Sequence, residues 1–396
     1  MPVVSFSGKR TSGMSDFTFY EFFAGGGMAR LGLSHAWNCL FANDFDHKKS
    51  VSYKNHWGNG EIKIEDVRAI TLDDLPGEPD LAWASFPCQD LSLAGGGAGL
   101  KGDRSGTFWP FWSLMRKLID DGRAPKIIAF ENVCGTLTSH DGKDFTAICS
   151  AFAQADYTFG AMIVDASLFV PQSRPRLFVI GVRNEALIPA GLTQAGPSPL
   201  WHPRGLRTAY NVASAIARVN WVWWSPPPPT SRTTTFADFI EDDPIDVDWH
   251  SSVQTQRILG MMSEVNMAKV EAAKRTNRRL VGAIYKRTRV DEYGGKVQRA
   301  EVRFDDVAGC LRTPAGGSSR QLILVVEGDT VRSRLISGRE TARLMGLPES
   351  YDLPPNYNEA YHLTGDGVVV PVVRYLAKNI FEPILVSCAD RARAAA

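Results

Sequence analysis

No apolar run in this sequence approaches the roughly 18 residues that would carry a helix across a bilayer. The opening stretch, Met1 to Asp16, is polar and Gly/Ser-rich and lacks the apolar core of a secretion signal. A cytoplasmic protein with no membrane partner is therefore expected. Cysteine is scarce, and Cys39, Cys88, Cys134, Cys149, Cys310 and Cys388 include no Cys-x-x-Cys pair. That leaves neither the spacing of a zinc site nor a disulfide framework, and reduced thiols are the simplest reading. At the glycine turn after the first strand the Gly-x-Gly-x-x-Gly fingerprint is missing too, since Met28 follows Gly27. A nicotinamide-dependent oxidoreductase is disfavoured on that ground. Charge of one sign is not in excess: 44 Lys and Arg face 43 Asp and Glu, a net of +1. Such neutrality excludes a uniformly basic coat for nucleic acid. It does not exclude positive charge presented along one cleft.

What is present suits a folded enzyme. Hydrophobic residues make up 44% of 396, which excludes disorder as the main state and allows two or three domains. Phe17 to Phe23, Asp80 to Ser85, Lys126 to Phe130 and Arg176 to Val182 read as strands, with helical patterns between them. Strands alternating with helices predict an α/β fold, a mostly parallel sheet with helices on both faces. Ligands bind such sheets beyond the carboxyl ends of the strands. The pattern changes near Pro189, where Pro, Trp and Ser/Thr become frequent. Residues 251–343 then carry 18 Lys and Arg against 10 Asp and Glu, a local net of +8. The segment from Gly367 to Ile380 is apolar again and is expected to rejoin the first domain. The expected division is 1–188 for catalysis and cofactor, 189–336 for a small domain, 337–361 for a hinge and the end of the small domain, and 362–396 for the returning segment.

Several short motifs sit at predicted strand ends. Phe23-Ala24-Gly25-Gly26-Gly27 joins a strand to a helix and either binds a dinucleotide, binds S-adenosylmethionine, or simply turns. Asp44, about 20 residues on, is placed to accept from ribose hydroxyls or is a solvated loop acid. Asp66 stands where a third strand could end. Phe86-Pro87-Cys88-Gln89 follows the strand at Asp80 to Ser85. A thiol there is either a nucleophile with a lowered pKa or a buried structural cysteine. Glu131 follows the apolar strand Lys126 to Phe130, where a carboxylate is costly unless paired or used. Arg174 and Arg176 are two apart on an extended segment and point to the same side.

In this order the motifs resemble the DNA (cytosine-5)-methyltransferases of the bacterial restriction-modification type. The match continues through Arg339-Glu340-x-x-Arg343-Leu344-Met345-Gly346 and Gly365-Asp366-Gly367-Val368. The resemblance implies a Rossmann-like S-adenosylmethionine-dependent methyltransferase fold with a smaller target-recognition domain. It implies methyl transfer to C5 of a flipped cytosine in duplex DNA. Cys88 would attack C6, Glu131 would hold N3 and supply a proton, Arg176 would bind O2 and Arg174 would support the site. The Phe86 carbonyl would accept from the exocyclic amine. Gln89, Ser92 and Arg104 would lie on a loop closing over DNA. For S-adenosylmethionine, left as S-adenosylhomocysteine, Phe23 and Phe45 would pack on adenine and Asp44 would take the ribose. Asp66 and Val67 would meet the adenine edge, and Ala24, Gly25, Gly26 and Gly27 the methionine end. Pro87, Phe108, Asp366, Gly367 and Val368 complete that set. No metal is implied, because the methyl group is already activated. The implied partners are double-stranded DNA and a restriction endonuclease encoded nearby without a stable complex. The implied enzyme is a monomer, bacterial or phage-encoded.

Three positions depart from the family pattern. Glu21 replaces an Asp, Met28 a Gly, and Asp366 an Asn. In the basic region, Lys274, Arg275, Arg278 and Arg279 are expected DNA contacts, with Lys286, Arg287 and Arg289 continuing the run. Arg320 closes a Gly/Ser loop that the family uses at the end of its recognition region. Trp221, Trp223 and Trp224 read as core rather than a wedge. Two other functions stay open on sequence: a transfer RNA methyltransferase on the same scaffold, and a catalytically silent DNA-binding regulator. The recognition sequence is not legible.

Overall fold

The computed structural model describes residues 17–86, 108–290, 294–313 and 320–395. Seven strands form the large sheet: β1 (Phe17–Phe22), β2 (Trp37–Asp44), β3 (Ile62–Ile64), β4 (Leu81–Ala84), β5 (Ile127–Val133), β6 (Tyr157–Asp165) and β7 (Pro175–Arg183). Their spatial order is β3-β2-β1-β4-β5-β7-β6. The first five run parallel, while β7 pairs antiparallel with both β5 and β6. Alternate residues of β1 feed two different cores, Phe19 one face and Tyr20 and Phe22 the other. Burial on both faces explains why these strands read as continuous apolar runs.

Helices α1 (Met28–Leu33), α2 (His47–Trp57), α3 (Phe108–Asp120) and α4 (Lys143–Ala153) are the crossovers between strands. In α3 the buried residues Phe108, Phe111, Trp112, Met115 and Leu118 recur at three- and four-residue spacing and cover one face of the sheet. Beyond β7, short strands β8 (Thr193–Gln194) and β9 (Trp223–Trp224) flank α5 (Arg204–Asn211) and α6 (Ala215–Val219). This segment lies along β6: Ile163 N–H donates to the Trp201 carbonyl at 2.8 Å, and Val222 N–H to Phe159 at 2.8 Å. Trp201, Trp221, Trp223 and Trp224 are all buried there, as core side chains.

A second sheet follows α7 (Ser252–Gly260) and α8 (Glu264–Arg275). It consists of β10 (Leu280–Val290), β11 (Lys296–Arg303), β12 (Leu322–Glu327) and β13 (Thr330–Leu335), all antiparallel, in the order β11-β10-β12-β13. Its own core, with Ile258, Val270, Ile284 and Leu324, packs under α7 and α8. The chain then returns through α9 (Gly338–Leu344), α10 (Tyr357–Asp366), α11 (Val370–Leu376) and α12 (Glu382–Ala395). A buried pair, Arg334 to Glu340 at 2.5 Å, fixes the entry to α9, where Glu340 also accepts from the Ser337 N–H. Helix α11 packs directly on α1. A Cβ on Gly32 would meet Val373 at 2.5 Å, so only glycine permits that approach. Among the described residues no helix is long and apolar enough to cross a membrane.

Candidate active site

The carboxyl ends of β1, β2, β4, β5 and the start of β7 converge on one edge of the large sheet. At the end of β1 the chain turns sharply, and Phe23, Gly25 and Gly27 all adopt left-handed φ angles of 58°, 54° and 75°. Asp44 holds this turn. Its carboxylate accepts from Gly25 N–H at 2.7 Å and from Asp46 N–H at 2.8 Å. Burial raises the Asp44 pKa, against the pull of those N–H groups and Lys49. A Cβ at Gly25 would meet nothing within 4 Å, so open space lies beside this buried carboxyl. Gly27 is different: a Cβ there would lie 2.4 Å from Trp57 Nε1, a buried donor that has no partner. Tyr351 closes the turn from the C-terminal part, donating to the Gly26 carbonyl at 2.7 Å. Ala24 is buried, and its N–H donates to Asn43.

Phe45 is 64% exposed at the mouth of this hollow, free to cover a planar ring. Val67 is buried, but Asp66 is already engaged. Both its oxygens accept from the Arg68 guanidinium, and one caps the turn at Arg68 N–H. Asp366, the acid that replaces the family's Asn, pairs with Lys49 at 2.6 Å. That lysine balances the negative charge which Asp brings in place of Asn. Gly367 packs on Met28, whose sulfur would lie 2.3 Å from an added Cβ, and Val368 is buried. Two family departures, Met28 and Asp366, thus meet in one corner of the fold. The third, Glu21, is buried with its Oε1 on Arg30 N–H at 3.2 Å and its Oε2 without a partner. Burial pushes its pKa up to about 8, with the Arg30 charge opposing.

The second cluster surrounds Glu131. Sequence reading ends the strand at Phe130, but β5 extends to Val133, because β7 pairs with it as far as Arg176. Glu131 is buried, and its Oε1 lies 2.9 Å from Arg176 Nε. Burial raises the Glu131 pKa, while Arg176 and then Arg174 pull it down. Arg174 is buried too. It donates to the Leu311 carbonyl at 3.0 Å and to the Gly365 and Gly367 carbonyls, each at 2.8 Å. Gln172 buttresses the same segment, giving its Nε2 to the Leu344 carbonyl and taking the Leu311 N–H. Phe86 is buried against Phe130 and Phe108, and its carbonyl accepts from Asn132 Nδ2 at 3.3 Å. Pro87, Cys88, Gln89, Ser92 and Arg104 lie outside the described residues.

Sequence reasoning missed Cys310. It sits between the two arginines, 3.6 Å from Arg174 Nη1 and 3.7 Å from Arg176 Nη2. Burial opposes its ionisation, yet the two guanidiniums outweigh burial and its pKa falls below the ordinary cysteine value. Cys310 also lines a cleft of about 370 Å³ between the large sheet and β10 and β11. Ser173 and Arg312 stand on its near side, and Lys269, Arg287 and Arg303 on the far side.

The expected DNA contacts fare unevenly. Arg275 and Arg278 are exposed at the end of α8, and Lys274 pairs with Glu271 at 2.7 Å. Arg279 is spent internally: it binds Asp242 at 2.9 Å and the Ala237 carbonyl. Arg320 donates to Asn358 and lies over the Tyr357 ring. A basic run in sequence is therefore not one continuous basic surface.

Comparison with known proteins gives this arrangement a family. The family model described as C-5 cytosine-specific DNA methylase matches residues 17–382. Among curated proteins, the Type II methyltransferase M.HpaII of Haemophilus parainfluenzae is 24% identical, covering 93% of this chain and 90% of its own. The Type II methyltransferase M.HhaI of Haemophilus parahaemolyticus is 23% identical, covering 93% and 95%. Among solved structures, the S. pombe Dnmt2 methyltransferase superposes with a TM-score of 0.54 at 17% identity, covering 93% of this chain and 99% of that one. A putative DNA modification methyltransferase from an E. coli prophage gives 0.54 at 15%, with the same coverage. These likenesses carry the same α/β fold. With its glycine turn, buried Glu131 and paired arginines in the family's order, the chain belongs to the C-5 cytosine-specific DNA methylases and is a DNA (cytosine-5)-methyltransferase.

Proposed function

We propose that this enzyme methylates C5 of a cytosine flipped out of duplex DNA, using S-adenosylmethionine and a transient bond between Cys88 and C6. The observation that carries the reading is the Glu131–Arg176 pair backed by Arg174. It is a buried carboxyl with a raised pKa beside two fixed cations. A carboxyl that keeps its proton can hold cytosine N3 and give that proton up as charge develops there. Arg176 suits the O2 edge. Addition of the Cys88 thiolate to C6 makes C5 an enamine-like carbon nucleophile, which divides one hard step into easier ones. C5 then takes the methyl group, and loss of the C5 proton expels the thiolate, returns the N3 proton to Glu131 and restores the ring.

The residues at the glycine turn fit the donor. The open space at Gly25, beside buried Asp44 and exposed Phe45, suits a ribose and an adenine. The partnerless Trp57 Nε1 is a donor left for a ligand or a water. When bound, S-adenosylmethionine supplies a methyl group already activated on a cationic sulfur. Asp66, held by Arg68, must release one oxygen before it can meet an adenine amine.

The reading divides the molecule into a large unit, 17–230 with 338–395, and a recognition unit, 251–335. The hydrogen bonds of residues 201–222 to β6 support a recognition unit that starts later than the expected position 189. A separate restriction endonuclease encoded nearby belongs to the same proposal, in keeping with the Type II methyltransferase names of the relatives. Transfer of a tritiated methyl group to duplex DNA, with transfer RNA offered in parallel, tests the activity. Cys88→Ser is expected to abolish turnover while Cys134→Ser and Cys149→Ser do not. A duplex with 5-fluorocytosine at the target is expected to trap a covalent adduct. Wild-type turnover in Cys88→Ser would overturn the reading.

A further inference from the structure

The second sheet has an unusual extension. β10 has eleven residues, but β12 covers only Leu280 to Ile284. Among the described residues, Tyr285 to Val290 pair with β11 alone, from Glu301 back to Lys296. This half is therefore a two-stranded ribbon projecting past the sheet, and Lys286 to Val290 are exposed throughout. Six residues of strand span about 20 Å. A two-stranded ribbon is also narrow enough for the major groove of B-DNA, about 12 Å wide.

Its two faces differ. Residues directly opposite in an antiparallel pair share a face. Tyr285, Arg287 and Arg289 thus share one with Glu301, Arg299 and Val297. That face carries three arginines and one acid, and Arg303 continues it toward the sheet. Glu301 braces two of the arginines, at 3.3 Å from Arg287 and 2.5 Å from Arg289. Each guanidinium has five N–H donors, so this contact leaves most of the fork available. The same face borders the cleft that contains Cys310, and Cys310 touches Arg174 and Arg176. The opposite face turns Ile284, Ala300 and Val302 into the core under α7 and α8. The arginine face is thus the one turned toward the residues around Glu131.

We propose that this ribbon is the base-reading element of the enzyme, and that Arg287, Arg289 and Arg299 read guanine edges in the major groove beside the target cytosine. The inference rests on the proposed reaction at Glu131 and adds what selects the sequence around it. Phosphate contacts alone would be met by scattered cations. Arginines aligned on one ribbon face and braced by a carboxylate match the paired O6 and N7 acceptors of guanine instead. The recognition sequence is accordingly expected to contain guanine outside the target base pair. Arg275 and Arg278, on the end of α8, have the character of phosphate contacts.

The test uses the full chain and a pool of duplexes with randomised sequence. Bound duplexes are sequenced in one arm, and methylated cytosines are mapped by bisulfite treatment in the other. The wild type should yield one guanine-containing motif in both arms. Arg287→Lys, Arg289→Lys and Arg299→Lys keep the charge and lose the fork. At least one of them should lose discrimination about 5- to 150-fold at a single guanine position, with other positions kept. Thr288→Ala, on the other face, should leave the motif unchanged. Unchanged motifs in all three lysine variants overturn the proposal. So does a uniform loss across sequences in the corresponding alanine variants, with a reduced salt slope and no change of motif. A wild type that selects the motif but transfers no methyl group would instead refute the proposed reaction and leave the ribbon's role standing.

Discussion

Glu21 offers a quantitative test of the site's electrostatics. It is 1% exposed at the end of β1, its Oε2 has no partner, and its pKa is pushed up to about 8 by burial against the opposing Arg30 charge. A carboxyl whose folded pKa exceeds its unfolded value of about 4.5 favours folding fully only below pH 4.5. That stability is lost as pH rises toward 8, because the unfolded chain ionises and the folded one resists. Each pH unit in the window costs about 1.4 kcal/mol, so about 3 kcal/mol is gone at pH 7 and about 5 kcal/mol above pH 8. Glu21→Gln keeps the size and the oxygen that accepts from Arg30 N–H, and it cannot ionise. The variant should match the wild type in urea midpoint at pH 4.5 and exceed it by a gap that widens to pH 8. Urea unfolding of both proteins at four or five pH values measures the gap directly. Parallel profiles across that range would refute the account of Glu21 as a neutral buried acid.

Glu131→Gln should lower the methyl-transfer rate about 10²- to 10⁴-fold and remove the alkaline fall in rate expected as the raised carboxyl of the wild type loses its proton. A pH–rate profile measures both. Arg174→Ala leaves two buried carbonyls and one part-buried carbonyl without their donor and should cost about 3 kcal/mol, read as a Tm several degrees lower. Gly27→Ala combines a left-handed φ of 75° with a contact on Trp57. It should cost about 1–2 kcal/mol from the backbone alone and weaken donor binding in calorimetry.

Much of this site was legible because its parts are local. The glycine turn, the Phe86 loop start, Glu131 and the Arg174–Arg176 pair all sit at strand ends. Strand runs buried on both faces announce themselves in sequence. The α/β fold followed from the same alternation. Antiparallel pairing of β7 did not, since a buried strand reads alike in either direction. Cys310 stayed hidden because it reaches Arg174 across 136 residues, and no local pattern encodes such a contact. The Lys49–Asp366 pair spans 317 residues and was equally invisible. Arg279 and Arg320 look free in sequence because their acceptors, Asp242 and Asn358, lie far along the chain. The boundary expected at 189 rests on a change of composition, which does not register that Trp201 and Val222 hydrogen-bond to β6.

Arg174 ties the chain together in time as well as in space. Two of its acceptors, the carbonyls of Gly365 and Gly367, are made 191 and 193 residues after it. At about 5–20 residues per second, a ribosome takes roughly 10 to 40 s to cover that distance. Through that interval the nascent chain holds a guanidinium whose final partners do not yet exist, so the pocket around Glu131 has no settled wall. The wall of that pocket is consequently completed only by the returning C-terminal segment, however early Glu131 and Arg176 are made.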